Sequence, residues 1–497
     1  MKHNIYFEAL RTYLEKRKRI RYLTNVLYYD IATAAPKNSI SDESDLLAYY
    51  DSQLASIAQE TTYKNLVRRG LEEKNLSSYE KRLFEILDEE IFLMDKLPLS
   101  DYLSAKKAFN KSNEMWRTYR PKNDFASWLP YWEECVKWAR ILARARMKGG
   151  MKTPYDALLN SYEPGETSEE LDALFLPIKK AIIKLLPMAI SKQAAHPLPK
   201  IKPYGIASQV NLSYDLLNLI RYNINGGCLK TSAHPFSADI SRYDARLTTK
   251  YVISDYRSNL FTILHEGGHC LQFQNKSEEE YDSYVENIAT AANCETHSRF
   301  YENLIGRSEE FAPILKTAVE RNLDRGFQYM SEEDFYLSLN RVEPGLIRCE
   351  ADELSYSLHI IIRYEIERDL INGKIECKDV PTIWNEKYKA YLGVDVPNDK
   401  DGCMQDIHWT DAEFGYFPSY ALGNVYGAMI REKMDEDIGL LDLVREGKMD
   451  EILSWFKEND FAYDYLAPRI WIKKVTGKEA SPDAFVSYLN NKFGKAN

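Results

Sequence analysis

The segment Thr262-Ile-Leu-His-Glu-Gly-Gly-His-Cys270 constrains this chain more than any other feature. Its two histidines, His265 and His269, are four residues apart, so on an α-helix both imidazoles lie on one face and can bind one metal ion. The order His-Glu-x-x-His is typical of metallopeptidases, in which the histidines bind Zn²⁺ and the glutamate, here Glu266, is the general base. The segment therefore predicts a metal-binding helix and hydrolytic chemistry.

Two glycines interrupt this predicted helix. Apolar residues from Leu260 to Phe273 indicate that the helix is buried. Gly267 and Gly268 lie inside it, where each glycine costs about 1 kcal/mol relative to alanine. Two explanations are open at this point: a neighbouring element packs closely against the helix, or the helix backbone leaves room for a substrate.

The chain reads as one large helical body. No linker, low-complexity run or repeat divides its 497 residues, and a hydrophobic fraction of 44% suffices for a large core. We predict one domain over residues 1–497, with a helical subregion at 1–197, a small β region at 198–256 and a helical catalytic subregion at 257–497. The expected fold class is mainly α, with a small β-sheet beside a deep active-site groove.

The β region contains the clearest strand pattern. The segment Arg246-Leu-Thr-Thr-Lys-Tyr-Val-Ile253 is rich in β-branched residues and immediately precedes the metal-binding helix. An edge strand beside a metal site can pair with an extended peptide backbone. Asp244 and Arg246 are expected to form a buried pair that organises this sheet.

Charge and cysteine content exclude several protein classes. The net charge of −10 argues against binding to nucleic acid. The first 30 residues lack the features of a signal peptide, and no run approaches the roughly 18 apolar residues of a membrane span. Seven scattered cysteines do not resemble a disulfide framework. We predict a cytoplasmic protein that binds neither nucleic acid nor membrane.

A catalytic zinc ion needs a third protein ligand and keeps one position open for water. The extended motif that supplies a third histidine is absent, because Gln272 and Asn275 occupy the positions of its glycine and last histidine. A glutamate on a following helix is the expected alternative, and spacing alone does not choose among the candidates. These are Glu278, Glu279, Glu280, Glu286, Glu295 and Glu302.

Five short motifs occur in order along the chain. They are His234-Pro-Phe236, Asp244-Ala-Arg-Leu-Thr248, His265-Glu-Gly-Gly-His269, Ile347-Arg-Cys-Glu-Ala-Asp352 and Gly402-Cys-Met-Gln-Asp-Ile-His-Trp409. Together they resemble the HPF, DxRxT, HExxH, IRxxAD and GxxQDxHW patterns of the thermostable carboxypeptidase (Taq-type) family, and the resemblance covers essentially the whole chain. It implies a homodimeric metallocarboxypeptidase that releases C-terminal amino acids from peptides with a free C-terminus.

The resemblance also implies that Glu295 is the third metal ligand, although its neighbours depart from the family pattern. The family usually has His-Glu-Ser/Gly-Gln, whereas this chain has Cys294-Glu-Thr-His297. The change affects the contacts that orient the ligand. Cys294 either contacts the metal or is a buried thiol, and we expect the latter. The expected cofactor is Zn²⁺, although a His/His/Glu site also binds Co²⁺ or another divalent metal.

Arg348, within the IRxxAD motif, is the candidate that the resemblance provides for recognising the chain end of a substrate. Its guanidinium would bind the terminal carboxylate through paired donors. A structural role, in which Arg348 pairs with Glu350 or Asp352, is the alternative.

Three further side chains are candidates for substrate contacts. His408 could donate to the substrate carboxylate or carbonyl, and His234 could orient a metal ligand or the peptide. Tyr420 could stabilise the oxyanion that develops during catalysis, or could simply support the start of a helix.

Two other functions compete with the metallocarboxypeptidase. A thimet-type endo-oligopeptidase has a similar metal-binding helix but cleaves internal bonds, and the IRxxAD and GxxQDxHW motifs argue against it. A catalytically silent peptide-binding protein on a peptidase scaffold is disfavoured by the intact Glu266 and by the three proposed metal ligands.

Overall fold

The computed structural model describes residues 4–197, 202–283 and 288–494. The candidate ligand Glu286 lies outside these residues, and the side chain of Glu279 is not described either. Helices make up most of the described chain, and three strands form a single small sheet within it. The predicted fold class, mainly α with a small sheet, is therefore confirmed.

Along the sequence, helices both precede and follow the three strands. They are α1 (Ile5–Thr33), α2 (Ile40–Gln59), α3 (Thr61–Leu71), α4 (Ser78–Lys96), α5 (Leu99–Tyr119), α6 (Phe125–Arg146), α7 (Pro154–Leu159), α8 (Ser168–Ala195), α9 (Ile206–Leu219), α10 (Tyr256–Gln274), α11 (Glu278–Ser283), α12 (Ala291–Arg299), α13 (Ala312–Asn322), α14 (Glu332–Leu339), α15 (Glu353–Ile371), α16 (Val380–Leu392), α17 (Phe417–Ile438), α18 (Leu440–Glu446), α19 (Met449–Asn459), α20 (Pro468–Thr476) and α21 (Asp483–Phe493). A π-helical segment, Phe300–Ile305, directly continues α12.

The chain forms two compact units, each assembled from three separate stretches. The first unit comprises Met1–Ile91, Leu198–Leu339 and Met429–Lys478. The second comprises Phe92–Pro197, Asn340–Ala428 and Glu479–Asn497. The single domain over 1–497 stays a prediction.

The sheet belongs to the first unit and consists of β1 (Leu229–Thr231), β2 (Ser237–Ser241) and β3 (Asp244–Thr249). β3 lies in the middle, parallel to β1 and antiparallel to β2. The strand predicted over 246–253 therefore begins two residues earlier and ends at Thr249. The pair Asp244–Arg246 is present, with a separation of 2.7 Å, but it is half-buried rather than buried.

The predicted β region also contains a helix that the sequence pattern concealed. α9 follows two prolines and begins after Gly205. Proline and glycine are signals of turns and loops, so the sequence did not predict a helix here. Its buried residues Leu212, Leu216 and Leu217 recur at helical spacing. This short apolar face packs against α10 and α13, which shows that burial decided the local structure here.

Two long helices of the second unit begin at capping residues. α8 spans Ser168–Ala195, and the side chains of Thr167 and Glu170 form a capping box at its start. α15 is buried along nearly its whole length, and Asp352 caps it by accepting a hydrogen bond from the backbone of Ser355. None of the helices in the described ranges combines the length and apolar character that crossing a bilayer requires.

Candidate active site

The two histidines of the HExxH motif lie on α10 and meet a glutamate from α12. Nε2 of His265 is 3.8 Å from Oε2 of Glu295, and Nε2 of His269 is 3.8 Å from Oε1 of the same carboxylate. The three potential ligand atoms lie within 4.8 Å of one another. These separations are too long for hydrogen bonds. They suit ligands of one cation, because tetrahedral zinc ligands lie about 3.3 Å apart.

Gly268 allows α10 to approach α12 closely enough for this arrangement. A Cβ atom at Gly268 would lie 2.7 Å from the carbonyl oxygen of His297 and 2.9 Å from Cα of Ser298. At Gly267, a Cβ atom would lie 2.5 Å from Cδ1 of Ile220. Of the two explanations left open by the sequence, the structure therefore favours close packing at both glycines.

Glu302 contacts the opposite side of the His265 ring. Its Oε2 lies 2.9 Å from Nδ1 of His265 and also accepts a hydrogen bond from Nη1 of Arg299 at 3.0 Å. Burial would raise the pKa of Glu302, but the charge of Arg299 and the contact with His265 outweigh it and lower the pKa to about 2. A carboxylate at Nδ1 leaves Nε2 of His265 as the nitrogen available to a metal. Glu302 is thus a partner of a proposed ligand.

The remaining candidate ligands lie elsewhere. Glu278 is exposed, and the buried Glu280 is 3.4 Å from Nζ of Lys276.

Burial lowers the pKa of His269 to about 3, so its imidazole is neutral, which is the form that binds a metal. The donor set of two imidazoles and one carboxylate therefore fits a divalent metal.

Glu266 follows the first histidine and is only 7% exposed. Burial raises the pKa of its carboxyl group. Its Oε2 accepts a hydrogen bond from Oγ of Ser237, the first residue of β2. The structure thus positions a buried carboxylate beside the three potential ligands.

One position on the edge of the sheet already has a partner from α1. β2 is an edge strand, and the backbone oxygen of its Asp239 accepts a hydrogen bond from Nδ2 of Asn25 at 2.7 Å. Peptide pairing along this edge, which the sequence suggested, is therefore blocked at Asp239. His234 lies in the exposed loop before β2, where its backbone oxygen accepts a hydrogen bond from Ser232.

A second group of predicted residues comes together in the second unit. Nε of Arg348 donates to Oδ1 of Asp406 at 2.9 Å, and Nε of Arg363 donates to Oδ2 of the same carboxylate at 2.6 Å. Burial would raise the pKa of Asp406, but the two guanidinium groups outweigh it and lower the pKa far below its usual range. Arg348 therefore pairs with Asp406, whereas the sequence suggested Glu350 or Asp352 as partners.

His408 and Tyr420 lie beside Arg348. Nε2 of His408 is 3.1 Å from the Tyr420 hydroxyl, and the guanidinium carbon of Arg348 is 4.9 Å from the centre of the Tyr420 ring. Burial, together with the charge of Arg348, lowers the pKa of His408 to about 3. The imidazole is consequently neutral and can donate or accept one hydrogen bond at each nitrogen according to its tautomer.

Comparison with known proteins agrees with this geometry. The family model for the carboxypeptidase Taq (M32) metallopeptidases matches residues 9–493. The chain is 33% identical over 490 residues to carboxypeptidase 1 of Bacillus subtilis (strain 168), covering 97% of each sequence. It is 34% identical over 406 residues to thermostable carboxypeptidase 1 of Thermus thermophilus, covering 78% of each. Its fold matches Trypanosoma cruzi metallocarboxypeptidase 1 with a TM-score of 0.93 and 29% identity, covering 99% of each chain.

This chain belongs to the M32 carboxypeptidase family.

Family membership confirms the predicted metallocarboxypeptidase activity and a divalent metal as its cofactor. It also favours this function over the thimet-type oligopeptidase.

The residues around Glu295 differ from the pattern that the resemblance implies, and the structure shows the contacts of His297 and the neighbouring Ser298. Nε2 of His297 lies 3.1 Å from Oδ1 of Asp460, and both side chains are fully buried. Oγ of Ser298 donates to Oε2 of Glu295 at 3.1 Å. Cys294 is half-buried and is not among the three residues whose ligand atoms come together, and burial raises the pKa of its thiol.

Sequence reasoning missed several contacts that connect the M32 motifs. Asp406 and Gln405 belong to GxxQDxHW and both bind Arg348 of IRxxAD, since the backbone nitrogen of Arg348 donates to Oε1 of Gln405 at 2.9 Å. Arg363 lies on α15, outside any motif. Ser237 directly follows His-Pro-Phe, which is the one signal that could have identified it.

Proposed function

We propose that this M32 carboxypeptidase releases C-terminal amino acids from peptides at a Zn²⁺ site formed by His265, His269 and Glu295. The observation that supports this most is the grouping of the three ligand atoms within 4.8 Å. When bound, the metal would polarise the scissile carbonyl and acidify a water molecule. Co²⁺ or another divalent ion fits the same donor set.

Glu266 is proposed to be the general base. A carboxylate accepts the proton of the attacking water and then passes it to the departing amine nitrogen. Burial raises the pKa of Glu266, which brings its proton affinity closer to that required near neutral pH. Its position next to His265 in the HExxH motif supports this role.

Arg348 is proposed to bind the terminal carboxylate of the substrate. Two guanidinium groups share the single carboxylate of Asp406, so this set of three groups has one more positive than negative charge. A substrate carboxylate would balance that charge and accept paired hydrogen bonds.

His408 and Tyr420 are proposed to assist Arg348. Nε2 of His408 lies 3.1 Å from the Tyr420 hydroxyl, which supports a joint role in which the phenol would stabilise the developing oxyanion. His234 is proposed to contact the peptide from the exposed loop before β2.

We further propose one metallocarboxypeptidase domain over 1–497 that assembles as a homodimer in the cytoplasm. The family resemblance supports the homodimer. The seven cysteines are all free thiols, which supports a reducing compartment. The acidic net charge of −10 supports a protein that does not bind nucleic acid.

The decisive experiment is digestion of one peptide, with and without a C-terminal amide, followed by mass spectrometry and zinc analysis. The free acid should lose single residues in order from its C-terminus, whereas the amide should react at least tenfold more slowly, the loss expected for about 1.5 kcal/mol or more of charge-assisted bonding. Internal fragments at equal rates from both peptides would overturn the proposal.

A further inference from the structure

We propose that Ser237 is a positioning residue for Glu266. Its hydroxyl, held in place by the sheet, donates to one oxygen of the Glu266 carboxylate and so leaves the other oxygen to face the water. This inference rests on the proposed role of Glu266 as general base and assigns a task to a residue outside the HExxH motif.

The contact between the two side chains is close and specific. Oγ of Ser237 donates to Oε2 of Glu266, and it also lies 3.2 Å from the backbone oxygen of Glu266. Within the described ranges, Ser237 supplies the one hydrogen bond that this carboxylate receives. Oε1 of Glu266 is therefore available to another donor.

The sheet fixes the position of Ser237. The preceding residue, Phe236, donates its backbone N–H to Oγ1 of Thr248 at 2.8 Å, and its carbonyl accepts the backbone N–H of Thr248 at 2.9 Å. Oγ of Ser232 lies 2.8 Å from the same Thr248 hydroxyl. The HPF and DxRxT motifs therefore meet at Phe236 and Thr248, one residue before Ser237.

The physical consequence concerns the orientation of a catalytic carboxylate. A carboxylate on a helix can rotate about its terminal bond, and a hydrogen bond from a fixed donor selects one orientation. The Ser237 hydroxyl is the donor that selects the orientation of the Glu266 carboxylate.

A matched pair of variants isolates the effect of the Ser237 hydroxyl on kcat. Ser237→Thr keeps it, whereas Ser237→Val replaces it by a methyl group of nearly the same shape, and both residues suit a strand. We expect the valine variant to lose about tenfold to a hundredfold in kcat, the usual effect of losing a hydrogen bond to a charged group, and the threonine variant to stay within about threefold of the parent. KM and the dissociation constant for Zn²⁺, measured by chelator competition, should be the same in both variants. Ser241→Val, at the other end of β2, should keep parental kcat.

Equal kcat values for the threonine and valine variants would overturn the proposal. So would a loss of zinc affinity in the valine variant that matches its loss of kcat, because the effect would then act through His265. If the valine variant does not fold, Ser237→Ala decides the question, and a parental kcat there overturns the proposal.

Glu266→Gln separates this proposal from the one it rests on. Parental turnover in that variant refutes the general base itself, whereas an inactive Glu266→Gln beside a fully active Ser237→Val refutes the positioning role alone.

Discussion

His265 faces a different carboxylate on each side of its ring. Nδ1 lies 2.9 Å from Glu302, and Nε2 lies 3.8 Å from Glu295. The short distance is a hydrogen bond that fixes the tautomer, while the longer one leaves space for a metal ion between the two groups. At the scale of single residues, distance therefore distinguishes a proposed ligand from the group that orients it.

Removing the contact between Glu302 and His265 should lower the affinity of the site for a metal ion. Glu302→Ala should weaken Zn²⁺ binding by about 10- to 100-fold, because His265 loses its orienting partner. Glu302→Gln should lose less, since the amide oxygen can still accept from Nδ1. Chelator competition measures both, with the exposed Glu278→Gln as control. Parental affinity in Glu302→Ala would contradict this role.

Glu266 and Glu295 should respond differently to substitution. Glu266→Gln should keep its zinc while kcat falls by about 10²- to 10⁴-fold, because the base is lost and the ligands remain. Glu295→Ala should lose zinc and activity together. Metal analysis beside steady-state kinetics distinguishes these outcomes, and full zinc content in Glu295→Ala would disprove Glu295 as a ligand.

Arg348→Ala should lower kcat/KM on a free-acid peptide by about 10- to 100-fold, the value of a charge-assisted contact of about 1.5–3 kcal/mol. The same substitution should have little effect on the amidated peptide. Asp406 keeps Arg363 as a partner at 2.6 Å, so the fold should survive. Parallel losses on both peptides would argue for a structural role of Arg348.

At the scale of elements, the packing of α10 against α12 brings the three potential metal ligands together. Gly268 lies where the two helices touch, and the nearest atoms to an added Cβ belong to the backbone at His297 and Ser298. A backbone cannot move aside without moving its helix, and α12 holds Glu295. Helix spacing and ligand geometry are therefore linked at this glycine.

The two glycines of α10 provide a matched test of this link. Gly268→Ala should destabilise the protein by about 1–3 kcal/mol and weaken zinc binding, because α12 must shift. Gly267→Ala meets the end of the Ile220 side chain at 2.5 Å, which can change rotamer, so zinc affinity should stay near parental. Urea denaturation and zinc titration measure the two effects. Equal zinc affinities in both variants would contradict the prediction.

At the scale of the whole molecule, buried neutral histidines make stability depend on pH. Burial, aided by the charges of Arg363 and Arg348, lowers the pKa of His359 well below its usual value. Below about pH 6.5 the unfolded chain binds a proton at this residue that the folded protein does not bind. The unfolded state then gains protons as pH falls, so this histidine lowers stability in acid and has no effect on the pH dependence above that range.

Comparison with His359→Gln isolates this contribution. Between about pH 6.5 and 4.5, the free energy of unfolding of the parent should fall relative to the variant by up to about 1.4 kcal/mol per pH unit. Above pH 7 the difference between the two proteins should be constant. Urea denaturation of the metal-free proteins across this range measures it. A constant difference down to pH 4.5 would contradict the assigned protonation state.

The sequence by itself determined the features that depend on local geometry. The spacing of His265, Glu266 and His269 predicts one helix face, because positions i and i+4 of a helix are neighbours whatever surrounds them. The β-branched residues from Arg246 onward likewise predicted a strand, which the structure has as β3. The five ordered motifs were enough to identify the family.

Only the tertiary structure decided which distant residues meet. Glu280, Glu295 and Glu302 were equal candidates by spacing. Tertiary packing brings Glu295 near both histidines, Glu302 to Nδ1 of His265 and Glu280 to Lys276. In the same way, Asp406 rather than Glu350 or Asp352 became the partner of Arg348. The physical reason is that sequence periodicity constrains neighbours along one element, whereas the distance between elements depends on side-chain volumes and burial across the unit.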